Sequence, residues 1–395
     1  MTIVPLFLLT LGAINWGYAY PLVFLFVALL RQRLLGREIY FNFLYAPSFW
    51  LLLSAGMAYA LIGMRTISGV YHHGILPVVA FAIGWLIAEG SSDKQIQDGI
   101  LALAAGFGTY ATLNMLVNIG NNRYRLIDFW TGAYRAATGS GALNTMPISV
   151  IPYAMKFERR LPVKIMFLAL FFATIQYMFM LGTRTQFAIL LLIAIFAALQ
   201  FAYSEQGVSG VLKCIGIMAG VSLIVFLLYY FNVLSIRDYI LNTNLAARYD
   251  QRTSLANSDS FRFQSFWIGL RELVQYPMGG RASQIYRHNM WLDVGRVSGI
   301  IPFCLLLIYS TKNFANVTMI WKKNEVLPSL RYLLLFLYIG AYVNCFVEPI
   351  WEGALNFFLA LCVVDGMVSA MMRRFENDPN PEESIPDASN LYADL

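Results

Sequence analysis

The sequence predicts an all-α integral membrane protein, a bundle of about 11–12 transmembrane helices with one loop region that carries an amphipathic helix. Three observations predict it. The 395 residues are 58% hydrophobic and only 13% charged, whereas soluble globular chains carry roughly a quarter charged residues. The apolar residues come in long runs, many close to the ~20 that a helix needs to cross a bilayer, and not in the short alternating segments of a β-barrel. Short connections rich in Lys and Arg recur at every second junction, as expected of a chain that crosses a membrane back and forth.

Taken in order, the apolar stretches fall at 3–30, 40–62, 74–89, 97–119, 141–156, 163–182, 185–203, 209–232, 296–311, 330–347 and 353–372. The first is long enough for one tilted helix or for two short ones around Asn15-Trp16-Gly17. It lacks a basic leader and a small-residue cleavage site, so it is expected to be retained as a span. The basic connections are Arg31/Arg33/Arg37, Lys156/Arg159/Arg160/Lys164, Lys312/Lys322/Lys323 and Arg373/Arg374, and loops 90–96 and 204–213 fall on the same side. The positive-inside bias makes that side cytoplasmic. Residues 1–375 then form one membrane domain, and 376–395, rich in Glu, Asp, Pro, Ser and Asn, a disordered cytoplasmic tail.

The net charge of +6 is accounted for by these anchoring loops, so no nucleic-acid partner is expected. Cys214, Cys304, Cys345 and Cys362 all lie in apolar segments without metal-ligand spacing. They read as packing residues, and no metal site is expected. Neither a Walker-type loop nor a G-x-G-x-x-G motif occurs, and no cofactor is expected.

The extracytoplasmic face collects the unusual residues. It holds Arg65, His72-His73, Arg123, Arg125, Asp128, Arg135, Arg184, Glu348, Glu352 and the long interval 233–295. The arginines run against the positive-inside bias, and anionic ligands would explain them. His72-His73 reads as a polar turn, because adjacent side chains point apart. Within the interval, Ser260–Tyr276 reads as an amphipathic helix: Phe263, Phe266/Trp267, Leu270 and Leu273/Val274 recur at 3–4 spacing. Asp259 or Ser260 would cap its start, and Pro277 with Gly279-Gly280 would end it. Asn289 is a candidate cap of a following helix, whose free N–H groups would favour an anion. Asp293 in its first turn would complement the dipole or orient His288.

Three segments together resemble the bacterial O-antigen ligase/O-antigen polymerase superfamily. They are Gly182-Thr183-Arg184-Thr185, then Arg262 to Trp267 followed by Tyr276-Pro277-Met278-Gly279-Gly280, then His288-Asn289-Met290-Trp291-Leu292 followed by Gly299. Trp267 stands five residues after Arg262, one more than the family's Arg-x-x-x-Trp. The likeness covers roughly 180–310; elsewhere it extends only to many-helix topology.

The resemblance implies a GT-C-like, metal-independent, inverting glycosyltransferase of the bacterial inner membrane. Its donor would be an undecaprenyl-diphosphate-linked oligosaccharide, used on the periplasmic side. By similarity His288 would act at the reaction centre, and Arg184, Arg262 and Arg287 would hold the diphosphate. Asn289, Asp293, Glu348 and Glu352 are possible acceptor-binding or supporting residues. A chain-length regulator and a flippase would be functional partners, with membrane lipid around the bundle. The moderate central loop favours a polymerase of repeat units over a ligase that moves polymer onto lipid A–core. Arg281, Arg248 and Arg252 read as solvated, and a protein-glycosylating relative would carry a longer extracytoplasmic C-terminus. A transporter or flippase would instead show internal repeats and helices broken in matching halves; no clear repeat is visible, and Asp365 is the main acidic residue inside a span.

Overall fold

The computed structural model describes residues 3–36, 41–118, 125–247, 258–283 and 285–377. The chain is an all-α bundle, with eight helices long and apolar enough to span a membrane. The first apolar stretch resolves into two helices, α1 (Ile3–Ala13) and α2 (Tyr20–Leu34). Between them the Asn15 side chain accepts the Gly17 N–H at 2.9 Å, closing the turn. Then come α3 (Pro47–Met64), α4 (Ile67–Ala88) and α5 (Asp93–Leu116). Ser92 and Gln95 form a reciprocal capping box that starts α5.

A small antiparallel hairpin follows, β1 (Arg125–Ile127) and β2 (Tyr134–Ala136), in a loop where no strand was expected. Asp128 makes it possible: its carboxylate accepts the N–H groups of Trp130 and Thr131. Next are α6 (Ala137–Ala142), α7 (Thr145–Phe157), α8 (Leu161–Leu181) and α9 (Arg184–Tyr230). The expected loop at 204–213 is reduced to Gly207, whose φ of 60° and ψ of −145° turn the chain between two helical arms of α9.

Past α10 (Ile236–Leu241) and α11 (Ser258–Gln275), the span expected at 296–311 divides into α12 (Met290–Ser298) and α13 (Ile300–Lys322). Gly299, at φ 93° and ψ −174°, separates them, because only glycine adopts that backbone freely. Lys312 therefore lies within a helix and not in a loop. The chain closes with α14 (Pro328–Val347), α15 (Ile350–Gly353) and α16 (Leu355–Asn377). Glu376, assigned to the tail, is helical; the rest of the expected tail, 378–395, lies outside the described residues.

The expected basic connections gather at one end of the bundle. Arg31 reaches Ser91, Arg160 pairs with Asp98 and Glu158, Lys156 with Glu205, and Arg374 with Asp93, which also accepts the Leu327 N–H. At the opposite end the Trp130 indole donates to Ala13 O and the Tyr71 hydroxyl to Tyr18 O. The His72-His73 pair belongs to this end but not to a turn. Both lie in a π-helical stretch of α4, Val70–Ile75, that follows another in α3, Tyr59–Met64. π-Turns concentrate near functional sites. His73 is buried and stacks on Trp351 at 5.7 Å, while His72 faces outward and meets Ser68.

Without a hydrophobic force between helices in lipid, small residues allow the closest packing. A Cβ at Gly84 of α4 would stand 1.8 Å from Val363 O of α16, and one at Gly366 would stand 2.0 Å from Phe81 O. Gly12 and Gly106 pair α1 with α5 in the same way. Asp365, fully buried in α16, accepts hydroxyl hydrogen bonds from Tyr309 at 2.6 Å and from Tyr338. Gly84→Leu is expected to force α4 off α16 and to cost about 1–3 kcal/mol or more. Gly220→Leu, at a glycine whose Cβ would meet nothing, should leave the melting temperature unchanged. Detergent-solubilised thermal unfolding of both variants checks the contrast.

Candidate active site

Helix α8 ends at Leu181, Gly182 takes the left-handed conformation (φ 64°), and α9 begins at Arg184 with Thr183 before it. This places half-buried Arg184 and Thr185 in a helical first turn, where free N–H groups favour an anion. The Thr185 hydroxyl donates to Glu348 Oε1, at the C-terminus of α14. Glu348 is 1% exposed, and its Oε2 lies 3.9 Å from His288 Nδ1. Three segments far apart in sequence, 182–185, 288–289 and 348, thus meet on one carboxylate.

His288 is held by its neighbours. Its φ of 55° is left-handed, a conformation that costs a non-glycine residue on the order of 1 kcal/mol or more. Asp293 stabilises it by accepting the N–H groups on both sides: Arg287 N at 2.7 Å and Asn289 N at 3.3 Å. Asn289 caps α12 through Leu292 N at 3.0 Å, and its Nδ2 donates to Phe346 O, two residues before Glu348. Asp293 therefore orients His288 through the backbone.

Arg287 does not fit the expected donor-binding role. Its guanidinium is buried and makes a two-pronged ion pair with Glu272 of α11, at 2.9 and 2.7 Å. Its work is to fasten α11 to the loop before α12. Gly269 of α11 sits against Leu292, and Leu273 against Gly295. Only part of the amphipathic face thus lies on the bundle; Phe263, Trp267 and Val274 are exposed. Arg262 lies on α11, but its side chain, like Arg123, Arg248 and Arg252, falls outside the described residues.

A second tier lies beneath. Arg296, which the sequence reading missed, is 2% exposed. It donates to both oxygens of Glu352 at 2.9 and 3.0 Å, to Arg281 O and Ala282 O, and lies 3.4 Å from Asp293 Oδ1. A cation three residues after Asp293 in a short helix was the available signal. Glu272 carried no signal, since a glutamate on an amphipathic helix ordinarily faces water. Among the described residues no three His, Cys, Asp or Glu side chains gather as a metal site would require.

Beside the His288 loop lies a cavity of about 400 Å3 between α11, α12, α13 and α14, lined mainly by apolar side chains that include Phe266, Leu270, Trp291, Phe303 and Phe346. Asn289 forms part of its wall. Comparison with protein-family models and with curated proteins finds no match to the chain.

Burial raises the Glu352 carboxyl to about 7; the negative charge of Asp293 adds to the rise, and Arg296 and the Tyr59 hydroxyl oppose it. Asp293 is raised by burial too. In the unfolded chain Glu352 ionises near the ordinary value of about 4.3. Between that value and about 7 the unfolded state therefore binds fewer protons, so stability falls as pH rises. Wild type is expected to lose melting temperature across that window and Glu352→Gln to lose less, as pH-resolved thermal unfolding would show.

Proposed function

We propose that the chain is a membrane glycosyltransferase of the O-antigen ligase/polymerase type, with a GT-C-like bundle, acting as a polymerase of polyprenyl-diphosphate-linked repeat units. The observation that carries this reading is the convergence of Thr185, His288 and Glu348 beside Arg184 and an apolar cavity. The basic end of the bundle would face the cytoplasm, which puts this site on the periplasmic side of a bacterial inner membrane and the C-terminus inside.

The geometry supports the following chemistry for this reading. With Nδ1 turned towards Glu348, the His288 imidazole has Nε2 left to take the proton of an acceptor sugar hydroxyl. The hydroxyl oxygen bonds to the anomeric carbon of the donor as the bond from that carbon to the diphosphate oxygen breaks. The diphosphate leaves as an anion, and Arg184, with Arg262 by the resemblance alone, stabilises the charge that develops on it. Glu348 balances the imidazolium. Inversion follows from attack opposite the leaving group. The cavity lined by Phe266 and Phe346 suits the first isoprene units of the donor, and the exposed Phe263 and Trp267 would keep α11 at the lipid surface.

The test is a glycan gel from a strain lacking this protein, rescued with wild type or with His288→Ala. A collapse to core plus a single repeat, unrescued by the variant, fits a polymerase with His288 at its centre; the expected loss of rate is about 10²-fold or more. Naked core with accumulated lipid-linked polymer would mean a ligase. An unchanged ladder, capsule and secreted polymer would overturn the glycosyltransferase reading and favour transport.

A further inference from the structure

A second cavity, of about 330 Å3, lies towards the basic end of the bundle between α3, α4, α13 and α16. Its walls include Ser48, Trp85, Lys312, Asn316, Ser369 and Arg373. We infer that it binds the phosphate headgroup of an anionic membrane lipid, independently of the site at the other end.

The lining is built for an anion. Arg373 is fixed in place: its Nη1 donates to Asn42 O at 2.9 Å, and its guanidinium lies 5.3 Å from the Tyr45 ring and 6.0 Å from the Trp85 ring. The rest of its fork has no acceptor among the described residues. Lys312 has no carboxylate partner among them either. Ser369 is 7% exposed, yet among the described residues its Oγ has no hydrogen-bond partner, and neither has the buried amide Nδ2 of Asn313 behind Ser48. Buried polar groups without partners are uncommon, and a site that takes a bound ion is one standard cause. A phosphate brings several acceptor oxygens and negative charge to two cations and a hydroxyl donor, which is what the lining lacks. Glu376 at the rim is exposed and opposes this charge only through water.

The position favours a lipid over a soluble phosphate. Ser48 in the first turn of α3 bonds Asn313, so Lys312 stands level with the start of a span. Tyr45 is 77% exposed and Trp50 52% exposed beside it, as aromatic residues are at a bilayer interface. Basic residues there draw anionic headgroups, each contributing about 1 kcal/mol, or roughly five-fold in affinity.

The test is native mass spectrometry of the full chain after exchange into micelles with equal phosphatidylglycerol and phosphatidylcholine. Thermal shifts with short-chain phosphatidylglycerol or inorganic phosphate alone run alongside. Wild type should retain phosphatidylglycerol preferentially. Lys312→Gln and Ser369→Val should each lower that preference several-fold, while Lys322→Gln, in the last turn of the same helix, should not. Lipid-free melting temperatures identify any variant that misfolds, and the other then decides. Equal retention of the two lipids, preference unchanged in both cleft variants, or an equal thermal shift from inorganic phosphate would overturn the assignment.

Discussion

Asp293 is the side chain on which the geometry of the candidate active site depends. A carboxylate with no exposed surface is costly unless its oxygens are occupied. Here they accept the two amides that flank His288 and face the Arg296 guanidinium. From that anchor the rest follows. The 287–289 bend is fixed, Asn289 can cap α12, Arg287 is directed to Glu272 and so seats α11, and Arg296 carries the connection on to Glu352 and α15. The 287–289 bend, α12, α11 and α15 all take their positions from one buried group.

This arrangement also separates two electrostatic tasks. Around Arg296 two carboxylates, Asp293 and Glu352, share one guanidinium, and burial raises both carboxyl groups. Around His288 the contact is longer: a histidine one-quarter exposed faces a buried glutamate across 3.9 Å. A closely hydrogen-bonded lower tier supports the longer contact above it.

Much of this was legible in the residues. Apolar run length located eight helices able to span a membrane, fewer than the 11–12 expected, because α1, α2 and α7 are too short and the runs at 185–203 and 209–232 join in α9; Asn15-Trp16-Gly17 marked the break between the first two helices. Charge at the connections marked an end that Arg31, Lys156, Arg160 and Arg374 share. The helix over 260–276 was readable from its 3–4 spacing and its Pro-Gly stop. Where reading failed, the signal was local and the determinant was not. Lys312 looked like a loop residue because charge usually marks a helix end, yet its aliphatic stem lets it sit within α13. His72-His73 looked like a turn because nothing nearby reveals that Trp351, nearly 280 residues later, stacks on the second ring. Arg287 looked like a ligand residue because its partner Glu272 lies on another element. Pairings of buried charge are properties of the packed state, and a linear pattern does not contain them.

His288 occupies a backbone conformation that glycine would adopt without strain. Replacing it with glycine would relax the bend and, on steric grounds alone, make the folded chain more stable. The imidazole is thus kept against the preference of its own backbone, and the loop resists it with a force that Asp293 must continually oppose. On the proposed reading, thermostability and turnover are traded against each other at this position, so a screen for more stable variants would discard the side chain that the proposed chemistry uses.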